Sequence, residues 1–466
     1  MSHPSTRGSR FGETLWGLIL RGDRALIALV LVISFRAPDL LWNQLGLRAV
    51  GAVLAGTILL AMMLRAITTG WRPTGWKSPM GLVSVYFLVC LICVTQARDA
   101  QQSVPMTVDI IKGATILFMM ICLCRSMRSL RRVVAAMLFA GLVMGTISIL
   151  QQWTGTFEFK FASFGQGSFK TFPEGYQLFR SKSVIGDPNY YAQVIIILIP
   201  LAVVGLWRVR RPMSVVVLFW TGLVCVLTVM STYSRGGFVT MLAVLGMLGL
   251  LAIKYRPQRK AVGLTIALLV AAVLLMPSHY VTRMSTFGRF IPTAGDDSPI
   301  ENLSQEIGLR GRLSAAIVGV NMFKDHPLLG VGPGNFRIHY PAYAHELEID
   351  PSKNIVRVAH NHYLAVAAET GLLGSAAFMA LLVGFCRRMH NARKRLAEAG
   401  LHEEAVFVAA IIVAIYGFLM SSMFLDTGYI YHFWLLAGIA FALPVIADHE
   451  IGQTAGPSRV VEADHT

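Results

Sequence analysis

The chain has 466 residues, 55% of them hydrophobic and 14% charged, with a formal net charge of +16. Soluble domains carry roughly 25% charged residues, so the composition excludes an ordinary water-soluble fold and makes a bilayer the solvent. A nucleic-acid partner is excluded by where the charge lies: basic residues gather in short clusters between long apolar runs, as loops on the cytoplasmic face of a membrane protein do.

Residues 1–23 lack the short apolar core and small-residue cleavage site of a signal peptide and read as a cytoplasmic tail. A span needs about 20 mostly apolar residues. Twelve runs qualify, near 24–42, 47–64, 79–96, 105–124, 133–153, 188–207, 213–231, 236–253, 261–277, 360–386, 404–424 and 429–447, the first weakened by Arg36 and Asp39. With the N-terminus inside, the inward connections carry Arg65, Arg72 and Lys77, then Arg125, Arg128, Arg131 and Arg132. The later ones carry Arg208, Arg210 and Arg211; Lys254, Arg256, Arg259 and Lys260; and Arg387, Arg388, Arg393, Lys394 and Arg395. The short outward connections, such as QARDAQQS and FLDTG, are nearly neutral, which places both termini, including residues 448–466, in the cytoplasm. The six cysteines all lie in or beside apolar runs and read as small lipid-phase side chains, not as a metal site or disulfide framework. The expected fold is an all-α polytopic membrane protein of about twelve spans, with residues 24–447 as its transmembrane domain.

Two outward connections are too long to be turns. Residues 154–187 are rich in phenylalanine, and Phe157 to Phe161 alternates at period two, so one face suits the bilayer interface. In residues 278–359, GRLSAAIVGVNMFKDH has helical spacing and PLLGVGPGNF is a glycine-proline turn cluster, which predicts a mostly helical cap.

Three polar constellations fall at outer helix ends. In RSKSVIGDPNYYAQ, Asp187 suits an N-cap and Pro188 the first helical position, with Arg180 and Asn189 nearby. STYSRGGF places Ser234 and Arg235 at the head of the eighth span, and VAHNHYLAVAAETGLLG opens the tenth. Helix N-termini offer unpaired N–H groups and the positive dipole end, a setting for phosphate, and Arg180 and Arg235 add guanidinium forks. Each has an ordinary reading too, as a snorkelling arginine, a plain helix start or a solvated histidine. At 100° per residue along the tenth helix, Gly371 and Gly374 fall within about 40° of His360 and form a small-residue groove beneath it. Glu369 then lies almost opposite His360 but under His362, and an ionisable group inside a span is costly enough to suggest function.

The sequence resembles the bacterial O-antigen ligase and O-antigen polymerase superfamily. The ligase signature, a histidine, then Asn, Ser or Gln, nine residues, Gly, two residues, and Gly, Thr or Tyr, is met by His360, Asn361, Gly371 and Gly374. HPLLGVGPGNF, the preceding Arg312 in GRLSAAIVGVNMF, SRGG and DPNYYA resemble the other recurrent stretches, over roughly residues 175–385. The resemblance implies a metal-independent, inverting glycosyl transfer without cofactor on the periplasmic face of the bacterial inner membrane. The donor would be a glycan on undecaprenyl diphosphate. In a ligase the acceptor is a sugar hydroxyl of lipid A-core; in the alternative, a polymerase, it is another lipid-linked repeat unit. His360 would be the general base; Arg180, Arg235 and, on weaker grounds, Arg312 would hold the diphosphate; Asp187, Asn189, Asn361, Glu369, Gly371 and Gly374 would support them. A transporter or flippase is a distant rival, for which the paired halves with broken helices are missing.

Overall fold

A computed structural model describes residues 22–36, 50–171, 177–277, 279–285, 307–349, 355–426 and 431–454. Of the predicted tails, 1–23 and 448–466, residues 1–21 and 455–466 lie outside them, as do residues 37–49, from the end of the first predicted span to the start of the second. In chain order the helices are α1 (Gly22–Ser34), α2 (Val50–Thr69), α3 (Lys77–Cys93), α4 (Ala100–Leu123) and α5 (Met127–Thr154), then the hairpin β1 (Gly167–Thr171) and β2 (Gln177–Ser181). There follow α6 (Pro188–Ile196), α7 (Leu198–Arg208), α8 (Pro212–Ser231), α9 (Arg235–Tyr255), α10 (Arg259–Leu274), α11 (Tyr280–Ser285), α12 (Ile307–Asp325), α13 (Phe336–Glu346), α14 (His362–Glu398), α15 (His402–Ser421) and α16 (Tyr431–Thr454).

Among the described residues ten helices are long and apolar enough to cross a membrane, α6 and α7 counting as one. The chain is an all-α, multi-pass membrane protein. Two of the twelve predicted spans are shorter than expected. In place of 24–42 stands α1, of 13 residues; the backbone turns left-handed at Arg36, whose Nη1 donates to the Ile185 carbonyl at 2.7 Å. In place of 261–277 stands α10, of 16 residues, which ends just ahead of Pro277. At 1.5 Å per residue it is about 24 Å long, short of a hydrocarbon core of about 30 Å.

The central helices are apolar all round, as burial on every side requires. The α6–α7 span and α16 are largely buried, α16 packing on α4 and α14, and α5 on α8. The ends remote from the hairpin carry the predicted basic clusters, tied across by Arg208–Glu403 at 3.0 Å, Arg131–Glu404 at 2.6 Å and Arg395–Asp448. Exposed pairs of this kind contribute little each.

The aromatic connection departs from expectation. Phe157 to Phe161 forms turns, with left-handed backbone at Phe161, Ala162 and Ser163, and the strands lie further on. Gln151 draws the turn in by donating from Nε2 to the Phe159 and Gly165 carbonyls, at 2.7 and 3.0 Å. The phenylalanines pack mainly on one another, Phe157 stacking on Phe179 at 4.2 Å, with β1 antiparallel to β2 and Ser168 opposite Arg180. In the described part of the second long connection, α12 covers the stretch with helical spacing and α13 follows the glycine-proline cluster.

Candidate active site

Three helix starts converge under the cap. Asp187 caps α6, its carboxylate accepting from the amides of Asn189 at 2.7 Å and Tyr190 at 3.2 Å, with Pro188 in the first turn. After α8 the backbone turns left-handed at Tyr233, and Ser234 caps α9 by accepting from the Gly237 amide at 3.2 Å. Arg235 is the first residue of that helix. Asn361 caps α14, its side-chain oxygen accepting from the Leu364 amide at 3.1 Å.

Arg180, on β2, ties two of these starts together. Its Nε donates to the Thr232 carbonyl at 2.8 Å and its Nη2 to Asn189 Oδ1 at 3.0 Å. Gly236 and Gly237 let the corner close, because a methyl at Gly236 would lie 2.9 Å from Phe424 Cβ and one at Gly237 3.0 Å from Ala192 Cβ. Arg312 comes down from α12 to line a cleft with Asn189, Ser234 and Ser421. The cleft holds about 10 Å³, room for one water.

His360 is placed differently from the sequence reading. It is not on the helix: it precedes the cap residue Asn361 and has φ 50°, a left-handed conformation uncommon outside glycine. The groove expected beneath it is absent as well. Gly371 has φ 60° and ψ −157° and breaks α14, so angular positions cannot be carried through it. The small-residue space is filled by the chain itself, Gly371 by the Leu328–Leu329 backbone and Gly374 by the Thr370 side chain.

The glycine-proline cluster is what occupies that break. Leu372 and Leu373 donate their amides to the carbonyls of Pro327 and Leu328 at 2.7 and 3.2 Å, replacing bonds the helix has lost. In return Val331 and Gly332 donate to the carbonyls of Ala368 and Glu369, both at 2.9 Å. Glu369, buried, accepts from the amides of Gly334 and of Phe336, the latter at 3.2 Å. On the far side Asn335 Oδ1 accepts from the Asp99 amide at 2.9 Å, and Ser103 Oγ donates to the Pro333 carbonyl at 2.7 Å. The polar residues Glu369, Asn335 and Ser103 thus hold the loop between α14 and the start of α4.

The two histidines separate clearly. His362 is buried against Phe378, its amide donating to the Ser422 carbonyl at 2.9 Å and its Nδ1 3.4 Å from Asp426 Oδ1. His360 is half-buried and lies within electrostatic reach of Arg312, Asp187, Asp426 and Arg357. Burial, then the positive charge of Arg312, hold its pKa below the ordinary imidazole value, against the opposing pull of Asp187 and Asp426. Arg312 is itself pushed down by burial and by Arg235, with Asp187 opposing; a guanidinium so shifted stays charged at neutral pH.

Residues 220–379 match the family model described as O-antigen ligase. Similarity to that family is confined to this segment, about a third of the chain. The segment runs from α8 to the middle of α14 and takes in Arg235, Arg312, the glycine loop, His360, Asn361, Glu369, Gly371 and Gly374. Arg180, Asp187 and Asn189 lie before it; Arg180 reaches the matched segment through Thr232 and Asn189 through the cleft. Comparison with curated proteins finds no match.

Sequence reasoning missed two charged residues beside the histidine of the ligase signature. Asp426 lies in the turn FLDTG, which read as a neutral connection; its backbone carbonyl accepts from the Tyr190 hydroxyl and its carboxylate faces His362. The available signal was a lone acid in a short apolar outer turn. Arg357 precedes His360 by three residues and packs on Gly311, one position from Arg312. Its signal was proximity to the ligase signature.

Proposed function

We propose that this chain is an O-antigen ligase-like glycosyltransferase of the bacterial inner membrane, working at the periplasmic face. The donor is a glycan on undecaprenyl diphosphate and the acceptor a sugar hydroxyl of lipid A-core. The observation that carries the reading is His360, held in a left-handed conformation outside its helix and within electrostatic reach of Arg312. Strained residues of this kind gather at functional sites. Burial and Arg312 lower its pKa, which favours the neutral imidazole a base requires.

In the proposed step the acceptor oxygen attacks the anomeric carbon as its proton passes to a His360 ring nitrogen. The bond from that carbon to the diphosphate oxygen breaks, its electron pair leaves on the diphosphate, and the configuration inverts. Arg312 and Arg235 neutralise the developing charge, aided by the α9 amide end. Arg180, committed to Thr232 and Asn189, acts mainly by fixing the relation of the α6 and α9 starts. Because the cleft between them is so small, the diphosphate lies across its mouth and not within it. The ligase-type spacing from His360 to Gly374 favours a core acceptor slightly over a second lipid-linked unit.

Reconstitution with a lipid-linked donor and two competing acceptors tests this. Glycan on lipid A-core is the expected product; lengthening of the lipid-linked glycan with the core left bare would instead make the chain a polymerase.

A further inference from the structure

A cavity of about 1210 Å³ lies at the opposite end of the bundle from His360. It is walled by the end of α2, the α2–α3 connection, the ends of α4 and α16, and the second half of α14. Arg72, Lys77, Arg125 and Arg388 line it, and its one acid, Asp448, is paired with Arg395. The half-buried Arg388 is fixed by donating to Ser78 Oγ at 2.8 Å and lies 5.1 Å over the Phe441 ring. Arg125 is fixed by donating to Thr74 Oγ1 at 2.9 Å. Trp71 and Trp76 stand in the same wall, as tryptophans do at the level of lipid head groups.

Phe118 lines this cavity and also a second, apolar one of about 350 Å³. That groove runs between α2, α3 and α4 over Leu59, Met80, Val83, Phe87, Ile110 and Ile111. A basic chamber thus adjoins an apolar slot, the two sharing Phe118 in their walls. No soluble anion needs the slot, and no neutral lipid needs four cations.

We propose that this end of the bundle binds an anionic phospholipid, its phosphate among Arg72, Lys77, Arg125 and Arg388 and an acyl chain in the groove beyond Phe118. Basic pockets between membrane helices recognise such head groups, each cation at the surface contributing about fivefold in affinity. The site is independent of the transfer chemistry, since it shares no residue with it.

The test uses the full chain in nanodiscs of phosphatidylglycerol and phosphatidylcholine in equal amounts, followed by detergent extraction and mass spectrometry of the retained lipid. Phosphatidylglycerol should be retained in preference. Arg125→Gln with Arg388→Gln should weaken retention about 25-fold, whereas Arg125→Lys with Arg388→Lys, which keeps the charge, should preserve the preference and serves as the folding control. Ala114→Trp fills the groove with the basic rim intact and should abolish retention. Equal retention of the two lipids overturns the proposal. So does displacement by inorganic phosphate with Ala114→Trp behaving as the parent, which would mark a site for a soluble anion.

Discussion

Gly371→Ala puts the joint between the glycine loop and α14 to the test. At φ 60° and ψ −157° the residue occupies backbone space that is essentially glycine's alone, and holding another residue there costs about 1–3 kcal/mol. The added methyl would also lie 2.5 Å from the Leu328 oxygen and 2.6 Å from the Leu329 nitrogen. These are backbone atoms that cannot rotate aside, so the loop must lift. Losing two of the four bonds across the joint adds about 2 kcal/mol, for a total of about 3–5 kcal/mol. Thermal unfolding in detergent reads the stability, and hydrogen exchange at the Val331 and Leu372 amides reads the joint. Gly246→Ala is the control: nothing lies within 4 Å of its added methyl, and in mid-helix it should be neutral or stabilise by up to about 1 kcal/mol. If Gly371→Ala melts with Gly246→Ala and keeps both amides protected, the reasoning about this break is wrong.

Other outcomes follow from the same geometry. Transfer should fall as pH drops through the lowered pKa of His360; Arg312→Gln removes a cation that disfavours the imidazolium, so the acid limb of the pH–rate profile should move to higher pH, and an unmoved limb would separate the two residues. Arg180→Lys should behave almost as a deletion in a melting and activity assay, because an ammonium cannot span Thr232 and Asn189 as the guanidinium fork does. Glu369→Ala leaves buried amides of the glycine loop unanswered and should cost about 1–3 kcal/mol for each, measured by denaturation, with substrate affinity changed only through loop exposure.

Much of this architecture is legible in hydropathy and charge, because a bilayer forces apolar runs into helices and leaves basic residues at the ends. The helix start at Asp187 follows from local capping chemistry, which needs only near neighbours, whereas the caps at Ser234 and Asn361 were not read from the sequence. Helical periodicity failed at His360 and Gly371 for one reason: both have positive φ, and the 100° rotation per residue holds only within unbroken helix. The function of Gly371 depends on Pro327 and Leu328, over forty residues earlier, a pairing no local pattern encodes. Asp426 was hidden likewise, since its approach to His362 comes from the packing of α14 against α15.

The most direct measurement is the transfer rate of the purified, reconstituted chain with a lipid-linked donor and a core acceptor, wild type against His360→Ala. General-base catalysis is worth about 10²–10⁴-fold, so the variant should lose at least two orders of magnitude while melting as the wild type does. A variant that folds normally and transfers at the wild-type rate would contradict the account.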